Sequence, residues 1–100
     1  MPKVKVSVTY QISQDEALSR IQARISEIKA QYSGQVSNLA ENWNGYSGEF
    51  RGSSHGFTVS GNLLVNPSLV SAVIELPVIA FAYRAKVEAG VRDELTKLLA

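Results

Sequence analysis

LPVIAFAYRAKVEAGVRDELTKLLA, residues 76–100, sets the architecture of this chain. Most of it reads as one long amphipathic helix. At about 100° per residue, Phe81, Val87, Val91, Leu95, Leu98 and Leu99 fall on one face. Arg84 and Glu88 fall on that face too. An unpaired charge is strongly disfavoured inside an apolar contact, so the pair admits two readings. In the first, Arg84, Glu88 and Arg92 form an i,i+4 ladder at the solvent edge of a narrower stripe; this is the expected arrangement. In the second, they make a polar patch inside an apolar groove, suited to a carboxylate or an ester.

A helix with one apolar stripe needs a partner surface, and the preceding residues supply it. Pro77 ends a strand predicted over Leu69–Leu76, because proline cannot donate to a sheet ladder. Val70, Ala72, Ile74 and Leu76 alternate along that strand. Phe57–Asn66 is a further strand, joined to it through the turn Asn66-Pro67-Ser68. Val36–Trp43 and Tyr46–Gly52 flank Asn44-Gly45, a strong hairpin signal that sets Trp43 opposite Tyr46 and puts Leu39, Trp43, Tyr46 and Phe50 on one face. Ser53-Ser54-His55-Gly56 is the turn that follows. Near the start, Lys3–Tyr10 alternates strictly, as a half-buried strand does. Ser13 opens a capping box with Glu16, and Ile12 before it fits a hydrophobic staple. A helix from Gln14 to Ser33 then carries the stripe Ala17, Leu18, Ile21, Ile25, Ile28 and Tyr32, with Gly34 at its C′ end. The fold class is α+β: a single antiparallel β-sheet with two helices packed on one face, in the order β-α-β-β-β-β-α. The first strand joins the sheet at an edge. Residues 1–100 form one domain.

Composition narrows the function. Hydrophobic residues make up 45% and charged residues 19%, a globular balance. A net charge of +1 without a basic run argues against nucleic acid. The absence of cysteine excludes disulfides, thiol chemistry and thiolate metal sites. The opening residues alternate, unlike a signal peptide, and Val78–Tyr83 is too short to span a bilayer. A soluble, cytoplasmic protein is expected.

No catalytic signature is present. His55, the one histidine, reads as a turn residue without a partner. Neither a nucleophile elbow nor an S-x-x-K motif occurs, and the glycines lack phosphate-loop spacing. No catalytic residue, metal ligand or cofactor is assigned. Trp43, Tyr46, Phe50 and Phe57 read first as core; alternatively, with Phe81, Arg84 and Glu88, they line an apolar ligand cavity between sheet and helix.

The opening MPKVKVSV, the helix start Gln14-Asp15-Glu16-Ala17, the junction Gln31 to Val36, the strand Gly56 to Gly61 and the ending Leu76-Pro77 through Arg84, Glu88, Arg92, Glu94-Leu95 and Lys97-Leu98-Leu99 together resemble the small bacterial polyhydroxyalkanoic acid system proteins. The resemblance spans nearly the whole chain and implies a place beside storage-polyester synthesis and granule proteins, with no catalytic residues to carry over. The expected function is that of a non-enzymatic accessory protein whose partner is a polyester granule surface, a granule protein or a hydrophobic ligand. Two alternatives stand beside it. One is a homodimeric interaction module. The other is a small hydroxyacyl enzyme in which Arg84 holds an anion and Glu88 or His55 moves a proton.

Overall fold

The structure, a computed structural model, describes residues 2–100; Met1, the first residue of the MPKVKVSV stretch, lies outside them. Strand β1 (Lys3–Thr9) leads to helix α1 (Gln14–Gln31), then to β2 (Ser37–Asn44), β3 (Ser47–Ser54), β4 (Phe57–Asn66) and β5 (Leu69–Glu75). A 3₁₀ segment (Val78–Tyr83) runs directly into helix α2 (Arg84–Leu98). The strands form one antiparallel sheet in the order β1-β5-β4-β3-β2. The expected fold class and element order are therefore observed, with β1 at an edge.

Alternation decides which face is covered. Val4, Val6 and Val8 of β1 stand opposite Ile74, Ala72 and Val70 of β5, and Val70 stands opposite Val65 of β4. These side chains share the inner face with Ala17 and Ile21 of α1 and with Leu95 and Leu99 of the C-terminal helix. Val6, Ile21, Val65 and Val70 are the largest completely buried side chains. Burial at about 25 cal/mol per Å² of apolar surface makes this layer the main stabilising contact.

The helix ends differ in detail from the sequence reading. Ser13 caps α1, its Oγ accepting from the Glu16 amide at 3.1 Å. The Glu16 carboxylate does not reach back to close a capping box; it accepts from Arg20 Nε at 3.0 Å. The helix ends at Gln31, before Gly34, and Gly34 does not take a left-handed conformation. The C-terminal stretch is not α-helical throughout. Its first six helical residues, Val78–Tyr83, wind as 3₁₀, at about 3.0 residues per turn, so their side chains fall out of phase with the α stripe. Ala80, and not Phe81, consequently packs against the core.

The first hairpin is shifted by one residue from its expected register. Its two-residue turn is Gly45-Tyr46, with Gly45 at φ +62°, and Asn44 pairs with Ser47. A glycine at the first central position suits such a turn. Trp43 therefore stands opposite Gly48 and not opposite Tyr46. The exchange has a steric basis, since a Cβ at position 48 would lie 2.8–2.9 Å from three indole carbons of Trp43. The bare backbone of Gly48 is the seat of the indole. Gly48→Ala is expected to cost about 1–3 kcal/mol, the usual range for overpacking. Denaturant unfolding measures it, and an unchanged midpoint would show that Trp43 does not depend on this seat.

Candidate functional site

The two helices run antiparallel over the sheet and are tied at one end. Arg20 donates to the carbonyl oxygens of Leu98 and Ala100 at 3.2 and 3.1 Å. Arg24 Nε donates to Glu94 Oε1 at 2.5 Å and its Nη1 to Glu27 Oε2 at 3.2 Å, and these carboxylates hold the Arg24 guanidinium pKa above its ordinary value, the Glu94 hydrogen bond first. The N-terminus of α1 is pinned to the sheet, because Gln14 donates to the Val65 carbonyl at 2.8 Å and Tyr46 donates to Asp15 at 2.5 Å. The Asp15 hydrogen bond holds the Tyr46 phenol above its ordinary pKa. Towards its C-terminus, α1 leaves this tight contact. Ala17 and Ile21 are fully buried, Ile25 and Ile28 only partly, and Tyr32 is largely open.

Below the freed half of α1 lies a groove of about 690 Å³. Ile25, Ile28 and Tyr32 form one wall, Val91, Leu95 and Leu98 of α2 the other, and inward residues of β2–β5 the floor. Tyr32, Leu39, Phe57 and Val59 on this surface are each 40–45% exposed, an unusual concentration of open apolar side chains for so short a chain.

One polar group is set into that wall. Glu41 follows the alternation of β2 onto the inner face beside Trp43, and its side chain is 17% exposed. Trp43 Nε1 donates to Glu41 Oε2 at 2.6 Å, and Lys29 Nζ donates to Glu41 Oε1 at 3.0 Å. The indole N–H first, and then the ammonium, hold the Glu41 carboxyl below its ordinary pKa against the opposing effect of burial. The pair ties α1 to β2 across the groove. Neither residue was singled out from the sequence. Their only signal is that Glu41 shares the phase of Leu39 and Trp43, a charge on the apolar side of a strand.

The residues expected to line a cavity are dispersed. Phe50 and Phe57 line the groove. Trp43 packs edge-on against Phe50, ring centres 5.5 Å apart, at the Glu41 end. Tyr46 sits in the turn at the opposite end of α1, bound to Asp15. Phe81 lies on the 3₁₀ segment, where Arg84 stacks 4.8 Å from its ring and donates to its carbonyl oxygen. Glu88 pairs with Arg92 at 3.1 Å, both side chains about half exposed. The three-residue ladder is thus reduced to one pair, and Arg84 turns back towards Phe81. His55 occupies a turn tip at φ +52°. None of Arg84, Glu88 and His55 lines the groove. Val78, Ile79 and Tyr83 of the 3₁₀ segment form a second open apolar surface, 78%, 70% and 63% exposed.

A family model described as "Putative polyhydroxyalkanoic acid system protein" matches residues 4–99. The chain belongs to this family. The match takes in every strand and helix described above except Lys3, the first residue of β1. No curated protein and no solved structure matches the chain. No helix among the described residues is long and apolar enough to cross a membrane.

Two outcomes are expected. Glu88→Ala removes one exposed i,i+4 pair and should cost about 0.3–0.5 kcal/mol; a loss above about 2 kcal/mol in denaturant unfolding would place Glu88 in a buried network instead. Glu41 carries pH dependence. Its folded pKa is lowered, so its contribution is complete above the ordinary carboxylate range and is lost as pH falls through the folded value. Glu41→Gln should be less stable than the parent at pH 7, and the difference should shrink on acidification. A difference that is constant from pH 7 to pH 3 would contradict the assigned hydrogen bonds.

Proposed function

We propose that this protein is a non-enzymatic accessory factor of polyhydroxyalkanoate metabolism that holds an acyl chain or a polyester segment in the groove beneath α1. The observation that carries this reading is the groove itself, about 690 Å³ of chiefly apolar wall with the Lys29–Glu41 pair at one side. A hydroxyacyl ligand has the matching chemistry. Its methylenes would lie along Ile28, Val59, Leu63 and Val91. Its hydroxyl or carbonyl would meet Lys29 and Glu41. Each buried methylene contributes about 0.8 kcal/mol. A chain of about eight such groups contributes about 6 kcal/mol before the cost of immobilisation, so the Kd is no tighter than about 20 µM and moves towards the millimolar range as that cost is subtracted.

Support for a non-enzymatic role comes from the state of the polar groups. Lys29 and Glu41 are engaged with each other and with Trp43, and the lowered pKa of Glu41 makes it a poor proton donor or acceptor near neutrality. The exposed side chains of Val78, Ile79 and Tyr83 favour a second contact, with the granule surface. A solid polyester presents carbon and ester groups, which these side chains can cover without desolvating a charge.

Calorimetric titration with 3-hydroxydecanoate tests the groove. Val59→Trp fills it from a half-open position and should weaken binding at least tenfold without loss of stability. Co-sedimentation with purified polyhydroxybutyrate granules tests the surface, and Val78→Ser with Ile79→Ser should lower the bound fraction severalfold. No heat from the parent protein, together with complete retention in the supernatant, would remove both contacts.

A further inference from the structure

The two edges of the sheet are treated differently. At the β1 edge, α2 packs along the strand, Arg92 donates to the Ser7 carbonyl oxygen at 3.2 Å, and Lys3 and Lys5 stand exposed on the outer face. Lysines and a covering helix are the usual protection against pairing with another chain. The β2 edge has no lysine and no covering helix; the guards it carries are a bulge between Ser37 and Ala40 and the inward-turned charge of Glu41. Its sequence, SNLAENWN, holds no lysine, arginine or proline. Its one charge, Glu41, is turned onto the inner face and held by Lys29 and Trp43. An irregularity between Ser37 and Ala40, with Asn38 at φ +54°, bends the first half of the strand away. Ala40–Asn44 remains regular.

Hairpin geometry tells which backbone groups of that segment are free. The pair that closes a two-residue turn exchanges both hydrogen bonds, and bonded and non-bonded pairs then alternate. Asn44, Asn42 and Ala40 are therefore bonded to β3, opposite Ser47, Glu49 and Arg51. Glu41 and Trp43 direct their N–H and C=O groups outwards, and no strand lies beyond β2.

We propose that β2 is a self-complementary edge through which two copies of this chain pair antiparallel about a two-fold axis at Asn42. The register follows from the free groups. Outward-directed residues must face each other, which permits axes at Glu41, Asn42 or Trp43. An axis at Glu41 places two carboxylates face to face, which is destabilising. An axis at Trp43 sets indole against indole, leaves the free groups of Glu41 facing Gly45 in the partner's turn, beyond the end of the strand, and forfeits part of the ladder. An axis at Asn42 sets Glu41 against the partner's Trp43 at both ends, giving four backbone hydrogen bonds and no like charges opposed. The two Asn42 side chains meet on the outer face. The product is a ten-stranded sheet with all four helices and both grooves on one side, so a dimer presents two acyl-binding clefts to one surface. The pairing stands or falls independently of what the grooves hold.

The chain contains no cysteine, which permits a clean test. A non-bonded antiparallel pair has Cα atoms about 4.5 Å apart, within disulfide range. Asn42→Cys is therefore expected to form a disulfide-linked dimer under mild oxidation at least tenfold faster than Ser19→Cys, an exposed position on α1. Light scattering should give the mass of two chains for the parent and of one chain for Asn42→Lys, in which two ammonium groups meet at the axis. Circular dichroism distinguishes a monomeric fold from an unfolded variant. A parent mass of one chain across the concentration range, or Asn42→Cys crosslinking no faster than Ser19→Cys, would overturn the proposal. So would a dimer that persists unchanged in folded Asn42→Lys.

Discussion

One apolar layer holds the structure together, where α1 and the C-terminal helix cross the β1–β5–β4 end of the sheet. Ala17 and Ile21 meet Val65 and Val70 there, and Leu95 and Leu99 close the layer beside them. The small side chain of Ala17 lets the start of α1 approach the sheet. The polar anchors are at the same end, with Gln14 on the Val65 carbonyl, Tyr10 on the Asn66 carbonyl and Arg20 on the last carbonyls of the C-terminal helix. With these anchors at one end, and only the Lys29–Glu41 pair tying α1 to β2 at the other, the opposite end of the sheet is free to stay open.

That asymmetry is the origin of the groove. Helix α1 carries its stripe through to Tyr32, yet only the first half of the stripe is pressed on the sheet. Ile25, Ile28 and Tyr32 hang over β2–β4 without closing down. Two ion pairs hold α1 in that position, Arg24–Glu94 towards α2 and Lys29–Glu41 towards β2. Neither is deeply buried, so each contributes modestly to stability. Their effect is on geometry, since they fix the span between walls that the apolar residues alone would tend to close. Gly48 acts in the same direction by seating Trp43, whose indole N–H in turn holds Glu41.

The polyhydroxyalkanoate connection and the groove fit each other chemically. A storage polyester offers methylenes with a regularly placed oxygen, and the groove offers carbon walls with one ammonium–carboxylate pair. The open 3₁₀ segment adds exposed apolar side chains outside the groove.

The sequence by itself determined the strands, the two helices and the antiparallel order, because these depend on local periodicity and on turn residues such as Pro67 and Gly56. It also carried the family resemblance, since the matching stretches are distributed along the whole chain. It did not determine the hairpin register. Asn44-Gly45 and Gly45-Tyr46 are both acceptable turns locally, and the contact of the Trp43 ring with Gly48 selects the second. Nor did it reveal Glu41 and Lys29 as a site, because they are 12 residues apart and on different elements, and only the fold brings a helix charge over a strand charge. Arg84 is exposed as expected, while the place of Phe81 differs for a related reason. The wheel assumed one α-helical phase from Leu76 onwards, while the 3₁₀ turns before Arg84 rotate Phe81 out of the stripe. Periodicity fixes what each segment can bury; only the tertiary structure decides how far two stripes can close on one sheet, because that depends on where every anchor sits at once.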